Sequence, residues 1–277
     1  MEGAEETVDR HYGRGQILDS ILRALRQAGK DLDRLRPVDL APVDEFHIRG
    51  REATIELAAR AALRPGLRVL DVGCGLGGSA RYLAGEHGCH VVGIDLTREY
   101  VDTAKALAAM VGLEHVVEFH QASALEIPFD PDSFDVVWTE HVQMNVADKR
   151  AFYSEIARVI VPRGRFLFHD IFRGEGGPLW FPVPWAEDGS ISFLAPPDAV
   201  RDILANLNFS IHEWDDKSQQ SLDWFAAMVD RLASTGAPPL GLHLLMGDDA
   251  QTKFANNVRN LRERRFVVFQ ALAEKSG

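Results

Sequence analysis

Val69-Leu70-Asp71-Val72-Gly73-Cys74-Gly75-Leu76-Gly77-Gly78 is the stretch from which the architecture can be read outward. Its apolar half completes a short strand, LRVLDV, and its glycines open a helix, GGSARYLAGEHG. Glycine adopts positive φ without a Cβ penalty, so the chain can turn tightly there and bring backbone N–H groups up to a ligand. The alternation then repeats. HVVGID reads as a strand, REYVDTAKALAAMVG as a helix, VVEFHQA and SFDVVWTE as strands, KRAFYSEIARVI as a helix and GRFLFHDIF as a fifth strand. Strands alternating with helices of this length predict right-handed βαβ units, hence an α/β fold with a mostly parallel sheet covered on both faces.

Beyond Arg173 the pattern breaks into GEGGPLWFPVPWAEDGSISF, rich in Gly, Pro and Trp. Irregular inserts of that length are often lids over binding sites. A helix (DAVRDILANL), a strand (FSIHEWDD), helices through WFAAMVDRLAS and FANNVRNLRERR, and a last strand (FVVFQALAE) complete the chain. Upstream, QILDSILRALRQA sets Ile17, Ile21, Leu22 and Leu25 at helical spacing. RPVDLAPVDEFHIRG reads as a Pro-bearing connection, and REATIELAARAAL as a second helix stopped by Pro65-Gly66.

Composition limits the possible functions. The 277 residues are 46% hydrophobic and 26% charged, the profile of a globular protein with a large core. The formal net charge is −11, which argues against nucleic acid and against an anionic membrane surface. No apolar run approaches the roughly 18 residues a membrane span needs. The acidic, polar start MEGAEETVDRHYGRGQ is unlike a secretory signal. Cys74 and Cys89 form no disulfide framework and no zinc spacing, so a cytoplasmic location is expected.

Two cofactors could use the glycine loop. Gly73, Gly75 and Gly78 satisfy the dinucleotide pattern GxGxxG, with Asp95 following at about the 20 residues expected of a ribose-binding acid. Gly73, Gly75 and Gly77 equally satisfy the GxGxG loop of S-adenosylmethionine enzymes. Charge separates the two. Asp71 would repel a pyrophosphate, whereas it attracts an ammonium and a sulfonium; at an effective dielectric near 20, a unit pair at 4 Å is worth about 4 kcal/mol. The plainer alternative is that Asp71 caps the helix that follows.

VLDVGCGLGG, VVGIDLT, a loop ending EIPF, SFDVVW and ARVIVPRGRFLF follow one another between residues 67 and 172. In that order they resemble the class I S-adenosylmethionine-dependent methyltransferases, and FHIRGREAT, EHVQMN and FPVPWA look most like small-molecule members of the sarcosine/dimethylglycine and ubiquinone-biosynthesis types. The resemblance implies a Rossmann-like sheet of seven strands, the last antiparallel and inserted between the fifth and sixth. It also implies an N-terminal helical cap over residues 1–65, a methyltransferase domain over 66–277, and a substrate lid at 173–195. Asp71 and the loop of Gly73, Cys74, Gly75 and Gly77 would face the methionine part of S-adenosylmethionine, Asp95 its ribose hydroxyls and Leu96 its adenine. Where many relatives carry Asp to receive the adenine amino group, this chain has Ser123, followed by Ala124 and Leu125.

Methyl transfer is an in-line displacement in which the enzyme mostly supplies proximity and alignment. Acceptors that must lose a proton want a base. His141, after the fourth strand, is placed to serve, with a local structural role as the alternative. Glu140 could hold a cationic amine or orient His141, or simply be solvated. Tyr12 resembles an N-terminal aromatic that folds over the cofactor, and His47 stands in a phrase that helps close the pocket in sarcosine/dimethylglycine enzymes. Asn145, Trp180, Trp185 and Phe193 are candidate acceptor contacts, the aromatics able to cage an ammonium, sandwich a ring or merely pack. The remaining histidines, among them His90 and His169, suggest no metal site.

These readings converge on methyl transfer to a small molecule, N- or C-methylation slightly ahead of O-methylation, in a monomer or homodimer. An NAD-dependent oxidoreductase using the same loop and a catalytically silent cofactor-binding protein are the alternatives.

Overall fold

In the computed structural model, which describes residues 3–13, 15–236 and 238–277, seven strands form one sheet. They are β1 (Arg68–Val72), β2 (His90–Asp95), β3 (Val117–Gln121), β4 (Phe134–Glu140), β5 (Ile160–Arg173), β6 (Phe209–Asp216) and β7 (Phe266–Lys275), in the spatial order β3-β2-β1-β4-β5-β7-β6. The first five pair in parallel, and β7 runs antiparallel between β5 and β6. This is the Rossmann-like methyltransferase sheet that the motifs imply.

The central strands are buried on both faces, which is why they read as nearly continuous apolar runs. Alternate side chains serve opposite layers. Leu70, Val137, Phe166 and Phe168 pack on the side of α7 (Lys149–Val159) and α8 (Pro197–Asn206). Val69, Val136, Trp138 and Leu167 pack on the side of α4 (Arg51–Arg60), α5 (Gly78–His87) and α6 (Arg98–Met110). Gly77 and Gly78 let α5 start this close to its neighbours. A Cβ on Gly77 would run into the Phe119 ring, and one on Gly78 into the backbone carbonyl of Asp44.

Chain order reverses between β1 and β4, so a crevice opens at their carboxyl ends, where open α/β sheets bind ligands. Register brings the chemistry there: Asp71 lies beside Gly93 and Trp138, and Glu140 beside His169.

The cover over this crevice comes from three parts of the chain. The first is N-terminal: α1 (Ala4–Tyr12), α2 (Ile17–Gln27), α3 (Pro37–Asp44) and α4. The second is the segment after β5, in which Val183, Trp185, Ala186 and Ile191 are buried. The third is α9 (Ser218–Thr235), α10 (His243–Met246) and α11 (Ala250–Arg262), set between β6 and β7. Two of these helices depart from the sequence reading. Residues 36–50 were expected to be a connection, yet they contain α3, whose Pro37 occupies the first turn where no N–H is needed while Pro42 weakens the helical signal. The N-terminal segment forms α1, with Glu5 and Glu6 in its first turn and Arg10 and His11 in its last, as the helix dipole favours. Among the described residues no helix is long and apolar enough to cross a membrane.

Candidate active site

The glycine loop, the ends of β2, β4 and β5, and all three covering segments line one cavity. Asp71 is 2% exposed, and its Oδ2 has no hydrogen-bond partner. Burial, reinforced by Glu140, Glu45 and Asp95, pushes this carboxyl well above the usual range. It caps no helix, because the residue preceding α5 is Gly77 and no side chain caps that end. The plainer alternative for Asp71 is therefore set aside. An ammonium is the kind of partner such a group lacks.

Gly73 and Gly75 hold φ of 70° and 54°, and a Cβ on Gly73 would overlap the Val142 side chain. Gly75 N–H donates to Asp95 Oδ2 at 2.9 Å, and Thr97 N–H to Oδ1 at 2.8 Å. Burial lifts the Asp95 carboxyl in spite of these two bonds, and each oxygen keeps a lone pair for a further donor. Cys74, Leu96, Ala124 and Leu125 also line the cavity.

Ser123 does not. Its hydroxyl donates to Glu5 and accepts from Leu125 N–H at 3.0 Å, so it ties α1 to the sheet instead of facing the cavity, while the residue to which it is bonded, Glu5, does line it.

Beside Asp71 lies a second polar group of the site. His47 Nε2 is 3.0 Å from Glu45 Oε2 and 3.6 Å from Glu140 Oε2. Burial works against charge on His47, but Glu140 and Glu45 outweigh it and lift the imidazolium to about 9. Thr54 Oγ1 donates to Glu45 at 2.7 Å, and Arg51 pairs with the same carboxylate. Ser79 Oγ and Trp138 Nε1 donate to Glu140 at 2.5 and 2.9 Å. Burial still raises Glu140; both donors reach its Oε2, while Oε1 has, among the described residues, only Thr54 Oγ1 at 3.4 Å, and the residue lines the cavity instead of facing bulk solvent. Ligand atoms of Glu45, His47 and Glu140 all fall within 4.8 Å of one another, the one set of metal-ligand spacing among the described residues. A metal needs a neutral imidazole. Here the imidazolium itself balances the carboxylates.

His141 leaves β4 with φ of 53°, its N–H donating to the His169 carbonyl at 2.9 Å. The two rings stack at 5.3 Å and 19°. Burial, then repulsion between any charge on this ring and those of His169 and His47, drives the His141 pKa well below 6.5, so this ring is neutral. Its Nε2 is buried without a partner. His169, which the sequence did not single out for the site, is fully buried within β5, bonded through Nε2 to the Ile48 carbonyl at 2.9 Å, and it props His141.

Tyr12 O–H donates to Asn145 Oδ1 at 2.9 Å, and Asn145 Nδ2 donates to the carbonyls of Trp185 and Ile191 at 3.0 and 2.9 Å. These bonds latch α1 to the segment after β5, and they occupy both ends of the Asn145 amide. Burial, with Asp95 and Asp170, pushes the Tyr12 phenol above its ordinary range, which removes it as a base. Trp185 lines the cavity, with Nε1 donating to Ser192 Oγ at 3.0 Å.

Trp180 and Phe193 are placed elsewhere. Trp180 is 40% exposed, with the guanidinium groups of Arg259 and Arg265 at 3.9 and 4.7 Å from its ring centre, so it already holds cations on the outer surface. Phe193 packs into the cluster around Ile171 and Trp185 and does not line the cavity. The cavity wall on that side comes instead from α9 to α11: Trp224, Phe225, Leu245, Met246, Phe254 and Asn257.

Residues 70–168 match the family described as a methyltransferase domain. That stretch, a little over a third of the chain, carries the likeness. A glycine/sarcosine/dimethylglycine N-methyltransferase of Actinopolyspora halophila is 27% identical over 219 residues, 79% of this chain and 38% of the relative. A sarcosine/dimethylglycine N-methyltransferase of Halorhodospira halochloris is 29% identical over 158 residues, 57% of each chain. The chain thus spans little more than half, at most, of the length of these curated relatives. Among solved structures, Haemonchus contortus phosphoethanolamine N-methyltransferase 2 in complex with S-adenosyl-L-methionine superposes with a TM-score of 0.76 at 19% identity, covering 100% of this chain and 61% of that one. That likeness concerns the fold.

The geometry divides the cavity into two parts. The unpartnered carboxylate, the glycine turns and Asp95 suit a cationic, ribose-bearing cofactor. A neutral imidazole and an apolar wall suit an acceptor.

Proposed function

We propose that this chain transfers the methyl group of S-adenosylmethionine to a small molecule held in the same cavity. The single observation that carries the reading is Asp71: a buried, unpartnered carboxylate at the edge of a glycine turn. It would hold the cofactor ammonium, Asp95 would accept from the ribose hydroxyls, and Leu96 would pack on the adenine. The same carboxylate opposes a nicotinamide dinucleotide, whose pyrophosphate would approach this turn. When bound, S-adenosylmethionine supplies an electrophilic methyl on a good leaving group.

The remaining work falls to the protein's own side chains. His141 Nε2 accepts the proton that the acceptor loses, and the stack on His169 together with its own backbone bond keeps the ring in place. The charged Glu45–His47–Glu140 cluster fixes the floor beneath it. Residues 1–65 act as a cap and 173–195 as part of the lid, with Tyr12 and Asn145 as the latch between them. Cys74 and Cys89, both buried free thiols, fit a reducing cytoplasm.

The test uses labelled S-adenosylmethionine and a panel of amines, phenols, enols and alcohols. Methyl incorporation is expected, and His141→Ala should lower kcat about 100-fold or more while S-adenosylhomocysteine affinity stays within twofold. Tight cofactor binding with no transfer to any acceptor would favour a silent binding protein. An unchanged kcat would remove His141 as the base.

A further inference from the structure

We infer, building on the methyl-transfer reading, that the acceptor is an uncharged, largely hydrocarbon molecule that donates one hydrogen bond to Asn257. The wall contributed by α9 to α11 presents Trp224, Phe225, Leu245, Met246 and Phe254 to the cavity, with Asn257 as the polar residue among them. Asn257 is 5% exposed, and its Oδ1 is buried without a partner. An amide oxygen left bare in an apolar wall is destabilising unless a ligand hydroxyl or N–H completes it. No described residue donates to it, so the complement is assigned to the acceptor.

Charge on the acceptor is opposed from both sides. Among the described residues no Lys or Arg side chain lines the cavity. The imidazolium present, His47, is held between Glu45 and Glu140. A phosphate or carboxylate buried there would find no counter-ion among the described residues and would face Asp71 and Glu140 instead. A cationic acceptor fares little better: the His47 imidazolium stands between Glu45 and Glu140, and Asp71 and Asp95 belong to the cofactor end. Acceptors such as phosphoethanolamine or sarcosine, which name the relatives above, therefore do not suit this wall. Apolar contact, the proton passed to His141 and the donor to Asn257 remain, and the specificity that follows resembles that of any site built to pair a buried polar atom.

The experiment titrates the full chain, saturated with S-adenosylhomocysteine, by tryptophan fluorescence and calorimetry. The probes are geraniol, its methyl ether, a prenylated phenol, geranyl diphosphate, phosphoethanolamine and sarcosine. Geraniol or the phenol should bind at least 100-fold more tightly than any of the three charged compounds. Geraniol should exceed its methyl ether, which cannot donate, by about tenfold. Asn257→Leu should abolish that preference and leave S-adenosylhomocysteine affinity unchanged. A charged probe binding as tightly as the neutral ones would overturn the inference. So would a preference for geraniol that survives in Asn257→Leu, or the failure of every neutral probe to bind. Failure of S-adenosylhomocysteine itself to bind would instead sink the methyl-transfer reading, a result read before any acceptor is added.

Discussion

Asp71 and His47 are buried side by side, and burial opposes the charge on both. Asp71 has no hydrogen-bonding partner for Oδ2 and carboxylates around it, so its ionised form is disfavoured in the empty protein. A ligand ammonium reverses that balance, and hydrogen bonds to charged groups contribute about 1.5–3 kcal/mol. Asp71→Asn should weaken S-adenosylhomocysteine binding by about 10- to 100-fold in calorimetry, while the melting temperature of the free protein holds or rises. His47 behaves oppositely because two glutamates flank it. Its pKa of about 9 in the folded protein exceeds the ordinary 6.5, so its contribution to stability is complete below pH 6.5 and is lost as pH rises through 9. The shift corresponds to about 3 kcal/mol as an upper bound. Urea midpoints at pH 6, 7.5 and 9 should fall more steeply for the wild type than for His47→Gln; parallel curves would show that His47 is neutral in the folded state.

Elements matter here through the places where they are tied together. Helix α1 buries only Val8 fully, yet Tyr12 and Glu5 bind it to Asn145 and Ser123, which follow β4 and β3. Removing one such bond costs about 1 kcal/mol. Tyr12→Phe should therefore speed S-adenosylhomocysteine dissociation about 3- to 10-fold in stopped flow and leave the pH profile of kcat unmoved, since the phenol does not ionise. A changed profile would restore Tyr12 as a proton acceptor. The same helix explains what the sequence could reveal. The sheet was legible because β1, β2, β4 and β5 must be apolar on both faces and are separated by whole helices. The cofactor half of the site was legible because the glycines, Asp71 and Asp95 stand at fixed offsets along one βαβ unit. Helix α1 was not, because one buried residue sets no period, and in α3 Pro42 masked the helical signal. His169 reads as one more residue of a core strand. The α9–α11 wall is apolar toward a cavity in the same pattern that helices show toward a core, so Asn257 in FANNVRNL could not be told from its neighbours.

At the scale of the molecule, three covering segments far apart in sequence meet over the carboxyl ends of the sheet, and this meeting exists only in the folded chain. A ligand held there binds the native state alone and raises its stability by mass action, about 2.7 kcal/mol at 100 times its Kd. For a chain of this size that amounts to a rise of about 5–10 °C in Tm. The sign of the ligand's charge decides whether the rise occurs. The chain carries a net charge of −11, and Asp44, Asp71, Asp95 and Glu140 bring several of its acids to one cavity. S-adenosylhomocysteine brings an ammonium to Asp71, whereas NADH brings a pyrophosphate to the same turn. Thermal unfolding should therefore shift upward with S-adenosylhomocysteine and stay unchanged with NADH, and the S-adenosylhomocysteine shift should shrink in Asp71→Asn. An equal shift by NADH would mean that the glycine turn, not the carboxylate beside it, governs what this cavity accepts.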